Sequence, residues 1–460
     1  MKLSREITEI QKKLSKVNAD FLTFVEDHPE TLKSANYKLL ELNDDLFRLQ
    51  PWPTFINREA KEVFREAGVN LFNLIKKIPK RLFDNDPQKI SDYYKLPINL
   101  VKLQMEGVTD DHIDTLISRG DFILSPTGLK CLEFNVTANL GGWQIPIWEV
   151  LYLNTPIISK FFKEYQVKTF NENLLYIFLE HCIYCRLVNT PGQAEINMAL
   201  VVKGFAQGGE NSTVTYLTNL YQDALHSIAR ALKGEFFVCD YQHLAFKDNR
   251  IFYKDREIHV IAEHYNGLVS PEILKAFTAG NIRLLNGPIT DLLSNKLNLA
   301  LLSDYETSGV FTGEEKEIIE KYVPWSRKIA PCCTTYRGEK IDLEHFIRAN
   351  REKLVIKPSL GYGGFGVYIG KRSTEKEWEK LVQNAIEEKN WLVQELVEAS
   401  VGLYQCGEDG YDYHDMVWGF FVFGSRYSGA WVRVMPNKYN WGIINCHQGA
   451  SVSGIFEVDE

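Results

Sequence analysis

The chain has 460 residues, a formal net charge of -8 and an apolar fraction of 45%. This composition is typical of a folded globular protein and argues against disorder as the main state. The negative charge argues against bulk binding of nucleic acid, which needs a concentrated positive surface. The length predicts two or three subdomains, which a large enzyme could arrange around one cleft.

The N-terminus and the cysteines bear on location. The first residues, MKLSREITEIQKKLSKV, carry charges throughout and lack the apolar stretch of a secretory signal. No run approaches the roughly 18 apolar residues of a membrane span, so we expect a cytoplasmic protein. Eight cysteines in so long a chain do not suggest a disulfide framework. We expect reduced thiols, and a redox role for Cys182/Cys185 or Cys332/Cys333 stays open.

In chain order, the predicted elements begin with a helix. Apolar residues recur at three- and four-residue steps from Leu3 to Phe24, which predicts a helix with one buried face. The segment 121–136 predicts a hairpin that turns at Pro126-Thr127-Gly128. A buried strand is predicted at 194–204, a helix at 219–232 and several short strands at 236–265.

The last third of the chain mixes the two kinds of element again. Helical patterns return near 290–302 and 313–322, and alternating apolar strands lie around 417–434. Because strands and helices are intermixed throughout, the sequence predicts an α+β or α/β class.

The strongest local signal is an apolar strand that ends in a lysine and runs into a glycine cluster. Leu354–Pro358 carries Lys357, and the glycines that follow are Gly361, Gly363, Gly364 and Gly366. Glycines let backbone amides approach an anion, and the lysine adds positive charge for a phosphate. The lysine precedes the glycines, so this is not the GxxxxGK[ST] phosphate loop. A flexible loop after a strand is the alternative.

Two further segments fit a nucleotide site. Trp391–Val397 predicts a strand that carries Gln394 and Glu395, a polar pair that could hydrogen-bond the edge of a purine. The alternative is a plain edge strand. Lys296 stands at the start of a predicted helix, where it could contact a phosphate or serve as an exposed structural lysine.

Upstream, a group of oxygen-bearing side chains fits a divalent cation. Glu133 and Asn135 are two apart on a predicted strand, so their side chains share a face. Carboxylate and amide oxygens are the ligands that magnesium prefers. If the two arms of the hairpin pair, Asp121 and Arg119 join this group. A solvated charged strand is the alternative.

Together these elements resemble the ATP-grasp superfamily, specifically its circularly permuted, glutathionylspermidine synthetase-like branch. In ordinary ATP-grasp chains the lysines and the glycine loop precede the acidic strand, whereas here Glu133 precedes Lys296 and Lys357. The resemblance covers residues 100–440. It is carried, in family order, by SRGDFI, LEFNVTANLGG, LLNGPITDLLSNKLNLALLSD, EEKEIIEKYVPWSR, LVIKPSLGYGGFGVYIG and WLVQELV.

The resemblance implies a role for each matching residue. Asp121, Glu133 and Asn135 would ligate Mg²⁺. Arg119 would contact the transferred phosphoryl group, and Arg433 would be a second catalytic arginine. The residues implied in ATP binding are Lys296 and Lys357 for the phosphates, Gly361, Gly363, Gly364 and Gly366 for a lid, and Gln394, Glu395, Leu396 and Val397 for the adenine.

The resemblance also implies a domain organisation within an α+β, ATP-grasp fold. Residues 1–100 form a mainly helical N-terminal region, 101–155 the metal-ligand part, 156–285 an α/β substrate subdomain, and 286–460 the nucleotide-binding part with its lid.

The implied activity is ATP- and Mg²⁺-dependent ligation of a carboxylate to an amine through an acyl phosphate, with release of ADP and phosphate. The implied partners are a small-molecule or peptide carboxylate and an amine, without nucleic acid or membrane. Two alternatives remain: a non-catalytic ATP-binding or regulatory protein, and a small-molecule kinase. Residues that could line an acceptor pocket, though packing is favoured for most, are Trp143, Tyr411, His414, Trp418, Trp431, Asn437 and Trp441.

Overall fold

The computed structural model describes residues 7–28, 47–205, 211–264, 270–304, 308–361, 363–406, 410–439 and 442–460. Its N-terminal part is mostly helical, up to the first long strands. The elements there are α1 (Glu9–Leu14), α2 (Val17–Asp27), β1 (Arg48–Leu49), β2 (Thr54–Ile56), α3 (Arg58–Phe83), α4 (Pro87–Tyr94), α5 (Ile98–Met105) and α6 (Asp110–Asp114).

A twisted hairpin and a set of helices follow. These are β3 (Ile117–Ser125), β4 (Gly128–Asn135), α7 (Ile145–Asn154), α8 (Pro156–Glu164), β5 (Lys168–Thr169) and α9 (Leu174–Asn189). The next elements are β6 (Met198–Val201), α10 (Ser212–Ile228), β7 (Phe236–Cys239), β8 (Ala245–Lys247), β9 (Arg250–Tyr253), β10 (Arg256–Ile258), β11 (Val260–Glu263), α11 (Pro271–Thr278) and β12 (Arg283–Leu285). Here β12, β11, β6 and β7 form a parallel sheet, in that order.

The remaining chain builds a small antiparallel sheet and closes the large one. It contains α12 (Thr290–Leu293), α13 (Leu297–Ser303), α14 (Gly313–Tyr322), β13 (Ser326–Lys328), β14 (Cys333–Tyr336), β15 (Glu339–Asp342), α15 (Leu343–Ala349), β16 (Leu354–Pro358), β17 (Tyr368–Ile369), α16 (Glu375–Glu388) and β18 (Trp391–Glu395). The C-terminal strands are β19 (Val401–Gln405), β20 (Tyr411–Phe423), β21 (Arg426–Pro436), β22 (Ser451–Ser453) and β23 (Ile455–Asp459).

Two sheets position the candidate site. The large sheet runs β1-β22-β21-β20-β3-β4, with β19 also paired to β20. The small sheet runs β13-β18-β16-β17. Helix α3 packs on the large sheet through Phe64, which contacts Phe420, and Phe72, which contacts Phe134. Its N-cap is Asn57, whose side chain accepts from Ala60 N. The architecture is therefore mixed α+β.

The structure confirms the predicted hairpin, in which Asp121 lies opposite Glu133. It differs from the sequence-based predictions in the positions at which two helices are interrupted. The predicted first helix is two helices within the described residues, because Ser15 is extended and its hydroxyl accepts from Val17 N to start the second. The helix predicted at 290–302 is also divided, because the Asn295 side chain accepts from Leu297 N and starts α13. Leu3 lies outside the described residues.

The remaining differences are shifts of element ends. The helix predicted at 219–232 is α10, which begins at Ser212 because the Asn211 side chain caps it. The strand predicted at 391–397 ends at Glu395, the last residue paired with the neighbouring strand. All eight cysteines are free thiols. Over the described residues, no helix combines the length and apolar character that crossing a membrane requires.

A half-buried carboxylate on α7 gives a test of this packing. Burial raises the pKa of Glu149 to about 7, and a hydrogen bond from Asn171 only partly offsets that effect. The unfolded chain releases this proton near its ordinary pKa, so the group destabilises the fold as pH rises from the ordinary value to about 7. We expect the free energy of unfolding of Glu149→Gln, relative to that of the wild type, to rise by roughly 3 kcal/mol between pH 5 and pH 8.

Urea unfolding at the two pH values measures this difference. The matched control is Glu59→Gln, an exposed residue in the first turn of α3. A difference in unfolding free energy that is the same at both pH values would contradict the assignment of a raised pKa to Glu149.

Candidate active site

Four predicted site residues lie side by side on β3 and β4. Arg119 is paired with Asn135, and Asp121 with Glu133, across the antiparallel hairpin. Residues two apart on a strand share a face, so all four side chains stand on one side of the large sheet. The sequence prediction that these residues converge is confirmed for this part of the site.

Asp121 is the centre of a buried ion cluster. Its carboxylate receives hydrogen bonds from Arg119 Nε at 2.8 Å, Arg433 Nη2 at 3.0 Å and Asn135 Nδ2 at 3.2 Å. Burial disfavours the charged form of Asp121, but the two guanidiniums outweigh it and lower the pKa of the carboxyl. Asp121 raises the pKa of Arg433 against the opposing effect of burial. The carboxylate therefore holds two arginines in fixed positions.

Both arginines lie against the aromatic ring of Trp431. The Trp431 ring is 5.1 Å from the Arg119 guanidinium and 5.8 Å from that of Arg433, and Trp148 stacks on Trp431 at 6.2 Å. Gly419 makes this approach possible: a Cβ there would lie 2.2 Å from Trp431 Nε1 and 2.9 Å from Arg119 Cδ. The arginines are thus held by charge on one side and by an aromatic face on the other.

Lys296 links the acidic strand to the glycine loop. Its Nζ is 3.1 Å from Glu133 Oε2 and donates to the Gly361 carbonyl at 2.8 Å, while its backbone N–H donates to the Ser359 carbonyl. Lys296 is only 6% exposed. The Lys296 ammonium group therefore contacts both Gly361, the first residue of the glycine loop, and Glu133, a predicted metal ligand.

Lys357 lies beside this group and is held by Gln394. Its Nζ donates to Gln394 Oε1 at 2.8 Å, and Gln394 Nε2 donates to Ser326 Oγ at 3.0 Å. Burial lowers the pKa of Lys357 to about 8; Glu133 opposes this effect and Lys296 adds to it. Lys357 is thus charged at neutral pH, and its pKa of about 8 means that it can lose its proton slightly above neutral pH.

The glycine loop packs against the C-terminal segment around Ile443. The backbone of Gly364 comes so close that a Cβ would lie 2.5 Å from Ile443 Cγ2. Gln448 Nε2 donates to the Gly363 carbonyl at 3.3 Å. Gly363, Gly364 and Gly366 all have positive φ, between 68° and 75°, which favours glycine. Phe365, between them, is 62% exposed.

A cavity of about 730 Å³ opens beside the small sheet. Glu395, Leu396 and Val397 are among its lining residues. Gln394 is not among its lining residues, because alternation along β18 directs it to the opposite face, where it holds Lys357. The remaining lining residues include Ile319, Val323, Trp325, Tyr336 and Arg337, which the sequence analysis did not select.

The candidate residues for an acceptor pocket are mostly packing residues. His414, Trp418 and Trp431 are buried, and Trp143 packs on Phe178 with ring centroids 4.7 Å apart. Trp431 nevertheless belongs to the site through its arginine contacts, and its spacing of two from Arg433 on β21 is the signal that predicts a shared face. Trp441 lies outside the described residues.

The donor set around Glu133 fits a hard cation only in part. Within the described segments, no three His, Cys, Asp or Glu side chains are grouped so as to hold a metal ion. Glu133 offers a carboxylate that is 25% exposed, and no described residue donates to the Asn135 amide oxygen. Magnesium commonly takes one or two protein oxygens and completes its shell with phosphate and water. Glu133 and Asn135 meet that requirement, whereas the Asp121 carboxylate is already shared by two arginines.

The arrangement of the two sheets, the helical N-terminal part and the parallel central sheet is similar to the fold of a solved structure. That structure is a glutathione synthetase-like effector from Globodera pallida, solved in its apo form, and the TM-score is 0.55. The two chains share 12% identity, and the match covers 98% of this chain and 99% of that one. At this identity the likeness establishes the fold alone.

Other comparisons add less. A γ-glutamylcysteine synthetase-like protein described as putative, from Methylobacillus flagellatus KT, has a TM-score of 0.37 at 11% identity, with 79% of this chain and 82% of that chain covered. D-alanyl-alanine synthetase A from Vibrio cholerae O1 biovar eltor has a TM-score of 0.26 at 10% identity, covering 57% and 74%. These scores are too low to bear on the fold. No protein-family model matches the sequence, and no curated protein does.

The ion cluster predicts a large loss of stability when its anion is removed. Asp121→Asn leaves the two guanidiniums without a counter-charge in a buried site, so we expect the free energy of unfolding to fall by about 3–5 kcal/mol. Urea unfolding at pH 7 measures the loss. Glu62→Gln is the control, because it removes a carboxylate from an exposed ion pair with Arg65 and should cost about 1 kcal/mol or less. Equal losses in the two variants would refute the anchoring role of Asp121.

Proposed function

We propose that the protein is an ATP- and Mg²⁺-dependent ligase that joins a carboxylate to an amine and releases ADP and phosphate. The observation that carries this proposal is a group of four neighbouring basic side chains: Arg119 and Arg433 on Asp121, Lys296 between Glu133 and the glycine loop, and Lys357 beside them. Four basic side chains share two carboxylates there, so the site has net positive charge. A polyanion and a substrate carboxylate are the ligands that such a site favours.

The adjoining cavity supports a nucleotide as the polyanion. It has room for a purine, and Glu395 lines it one residue after Gln394, whose side chain holds Lys357. Lys296 and Lys357 would bind the phosphates, and Gly361, Gly363, Gly364 and Gly366 would form the lid. Leu396 and Val397 would meet the adenine ring beside Glu395. Gln394 would fix the position of Lys357, in addition to making the base contact predicted from the sequence.

Glu133 and Asn135 would hold Mg²⁺, with Asp121 as the predicted third ligand. When bound, the ion would offset negative charge on the β- and γ-phosphates. The remaining functions belong to the chain itself. Arg119 and Arg433, held by Asp121, would orient the substrate carboxylate and stabilise charge that develops as it attacks the γ-phosphorus.

The product of that attack is an acyl phosphate, and the attack of an amine on its acyl carbon gives the amide. Acyl phosphates hydrolyse in water, so the lid would exclude water between the two steps. The closer relationship to glutathionylspermidine synthetase and the circular permutation are part of the proposal, and they rest on the order of the sequence motifs.

A screen of paired acids and amines tests the reaction class. We expect ADP and inorganic phosphate to be released in equal amounts, only when both substrates are present, with an amide product identified by mass. ADP release without phosphate and without an amine would instead indicate a small-molecule kinase. Nucleotide binding without any ADP release would indicate a non-catalytic ATP-binding protein.

Lys357 provides the sharpest test of the nucleotide site. We expect Lys357→Ala to abolish ATP-dependent turnover, because a phosphate-binding charge is lost. The fold should persist, as measured by circular dichroism. Lys353→Ala, an exposed lysine just before the same strand, is the control and should retain full activity. Full activity in Lys357→Ala would sink the assignment.

The pKa of Lys357 adds a pH dependence. Below its pKa of about 8 the lysine is charged, and a bound polyphosphate favours that form. We expect ATP affinity to be highest below pH 8 and to fall by up to about tenfold per pH unit above it. Titration calorimetry between pH 7 and pH 9.5 measures this fall. Lys357→Met should bind more weakly and show a flatter profile; identical profiles would argue against Lys357 as the titrating group.

A further inference from the structure

A short C-terminal segment, residues 444–450, covers part of the site, and the proposed function does not use it. The two ends of this segment pack on Val417 and Met435 in a small apolar cluster. Val417 pairs with Arg433 from the neighbouring strand, and Met435 follows Arg433 by two residues on β21. All three therefore share one face of the large sheet, and the segment lies on the face that carries Arg433.

The same segment also contacts the glycine loop. Gln448 donates to the Gly363 carbonyl, and His447 Cγ lies 3.7 Å from the position that a Cβ on Gly363 would occupy. Cys446, on the other side of His447, interacts electrostatically with Arg433. His447 thus lies between an arginine that would orient the substrate carboxylate and the loop that would cover the phosphates. Its side chain is exposed, so an entering ligand can reach the ring.

Asn445 determines which nitrogen of the His447 ring carries the proton. Asn445 Oδ1 accepts from the His447 backbone N–H at 3.0 Å, which identifies this atom as the amide oxygen. The same oxygen lies 3.1 Å from His447 Nδ1. Because an amide oxygen only accepts, Nδ1 must carry the proton and donate it. In the neutral ring Nε2 then has the lone pair, and no hydrogen bond from the described residues engages it.

The second step of the proposed reaction needs a group with such a lone pair. An amine that attacks an acyl phosphate carries a surplus proton once the C–N bond has formed, and a positioned base must take it. The arginines and lysines of the site would act there as cations. The carboxylates of Asp121 and Glu133 are already paired with these cations. A neutral imidazole beside Arg433 and the glycine loop supplies what the rest of the site lacks.

We infer that His447 is the general base of the amide-forming step and that Asn445 is the positioning residue that orients its ring. This inference rests on the proposed function. The amine nitrogen attacks the acyl carbon, and the bond from that carbon to the phosphate oxygen breaks, with its electron pair leaving on the phosphate. The proton of the attacking amine passes to His447 Nε2, which later releases it to solvent. A base in such a position accelerates a reaction by about 100- to 10,000-fold.

The tautomer can be measured without a substrate. Heteronuclear NMR of the full chain with isotopically labelled histidines reports which ring nitrogen is protonated, and His447→Gln identifies the signals of His447 by their loss. We expect a protonated Nδ1 and an unprotonated Nε2, and Asn445→Leu should remove this preference. A ring protonated only on Nε2 in the wild type would overturn the inference.

Hydroxylamine separates the two chemical steps, because it is uncharged at neutral pH and attacks an acyl phosphate without a base. With the acid and the amine found in the substrate screen, His447→Gln should slow amide formation by about 100-fold or more. With hydroxylamine in place of the amine, the same variant should form the hydroxamate within about twofold of the wild-type rate. Asn445→Leu should show the same pattern more weakly, and Asn445→Asp, which keeps an acceptor for Nδ1, should restore the amide rate.

His345→Gln is the matched control, because His345 is an exposed histidine on α15. It should leave both rates unchanged. If His447→Gln slows amide and hydroxamate formation equally, or slows neither, the inference is overturned while the ligase activity stands. If the wild type forms neither product from any acid in the screen, the proposed function fails and this inference fails with it.

Discussion

The buried carboxylate of Asp121 is the constraint on which the site depends. Two guanidiniums could not be buried side by side without it, because uncompensated charge in a buried site costs several kcal/mol. Arg119 comes from the same strand as Asp121, whereas Arg433 comes from β21, beyond the intervening β20. The ion cluster therefore joins β3 to β21 across β20, and Gly419, in β20, leaves the space for the side chains that cross it.

The sequence predicts the contacts of this site between residues that are close along the chain. It does not predict the contacts between strands that are far apart in the sequence. The pairing of Asp121 with Glu133 could be predicted because a hairpin brings near neighbours together in a register set by its turn. The pairing of Asp121 with Arg433 depends on β20 lying between β3 and β21, and a single sequence carries no signal for that order of strands. The solved structure with a similar fold shares only 12% identity with this chain, too little to supply that order of strands by sequence comparison.

Strand geometry separates the two polar side chains of the β18 segment. Gln394 and Glu395 are adjacent, so they face opposite sides of the small sheet. The buried Gln394 supports Lys357, and Glu395 faces the cavity with Tyr336 and Arg337. The two-residue period of a strand is enough to assign the two side chains to different faces, and it is a property of the sequence positions alone.

The two lysines are arranged so that a phosphate could be added without breaking the contacts that hold them. An ammonium group has three N–H donors. Lys296 uses two of them on Glu133 and the Gly361 carbonyl, and Lys357 uses its short hydrogen bond on Gln394 and a longer one, at 3.5 Å, on the Leu132 carbonyl. Each therefore keeps a donor for an incoming anion, while its present contacts fix its position. Since the positions of the charges are set in advance, little of the binding energy of a polyanion would be spent on ordering them.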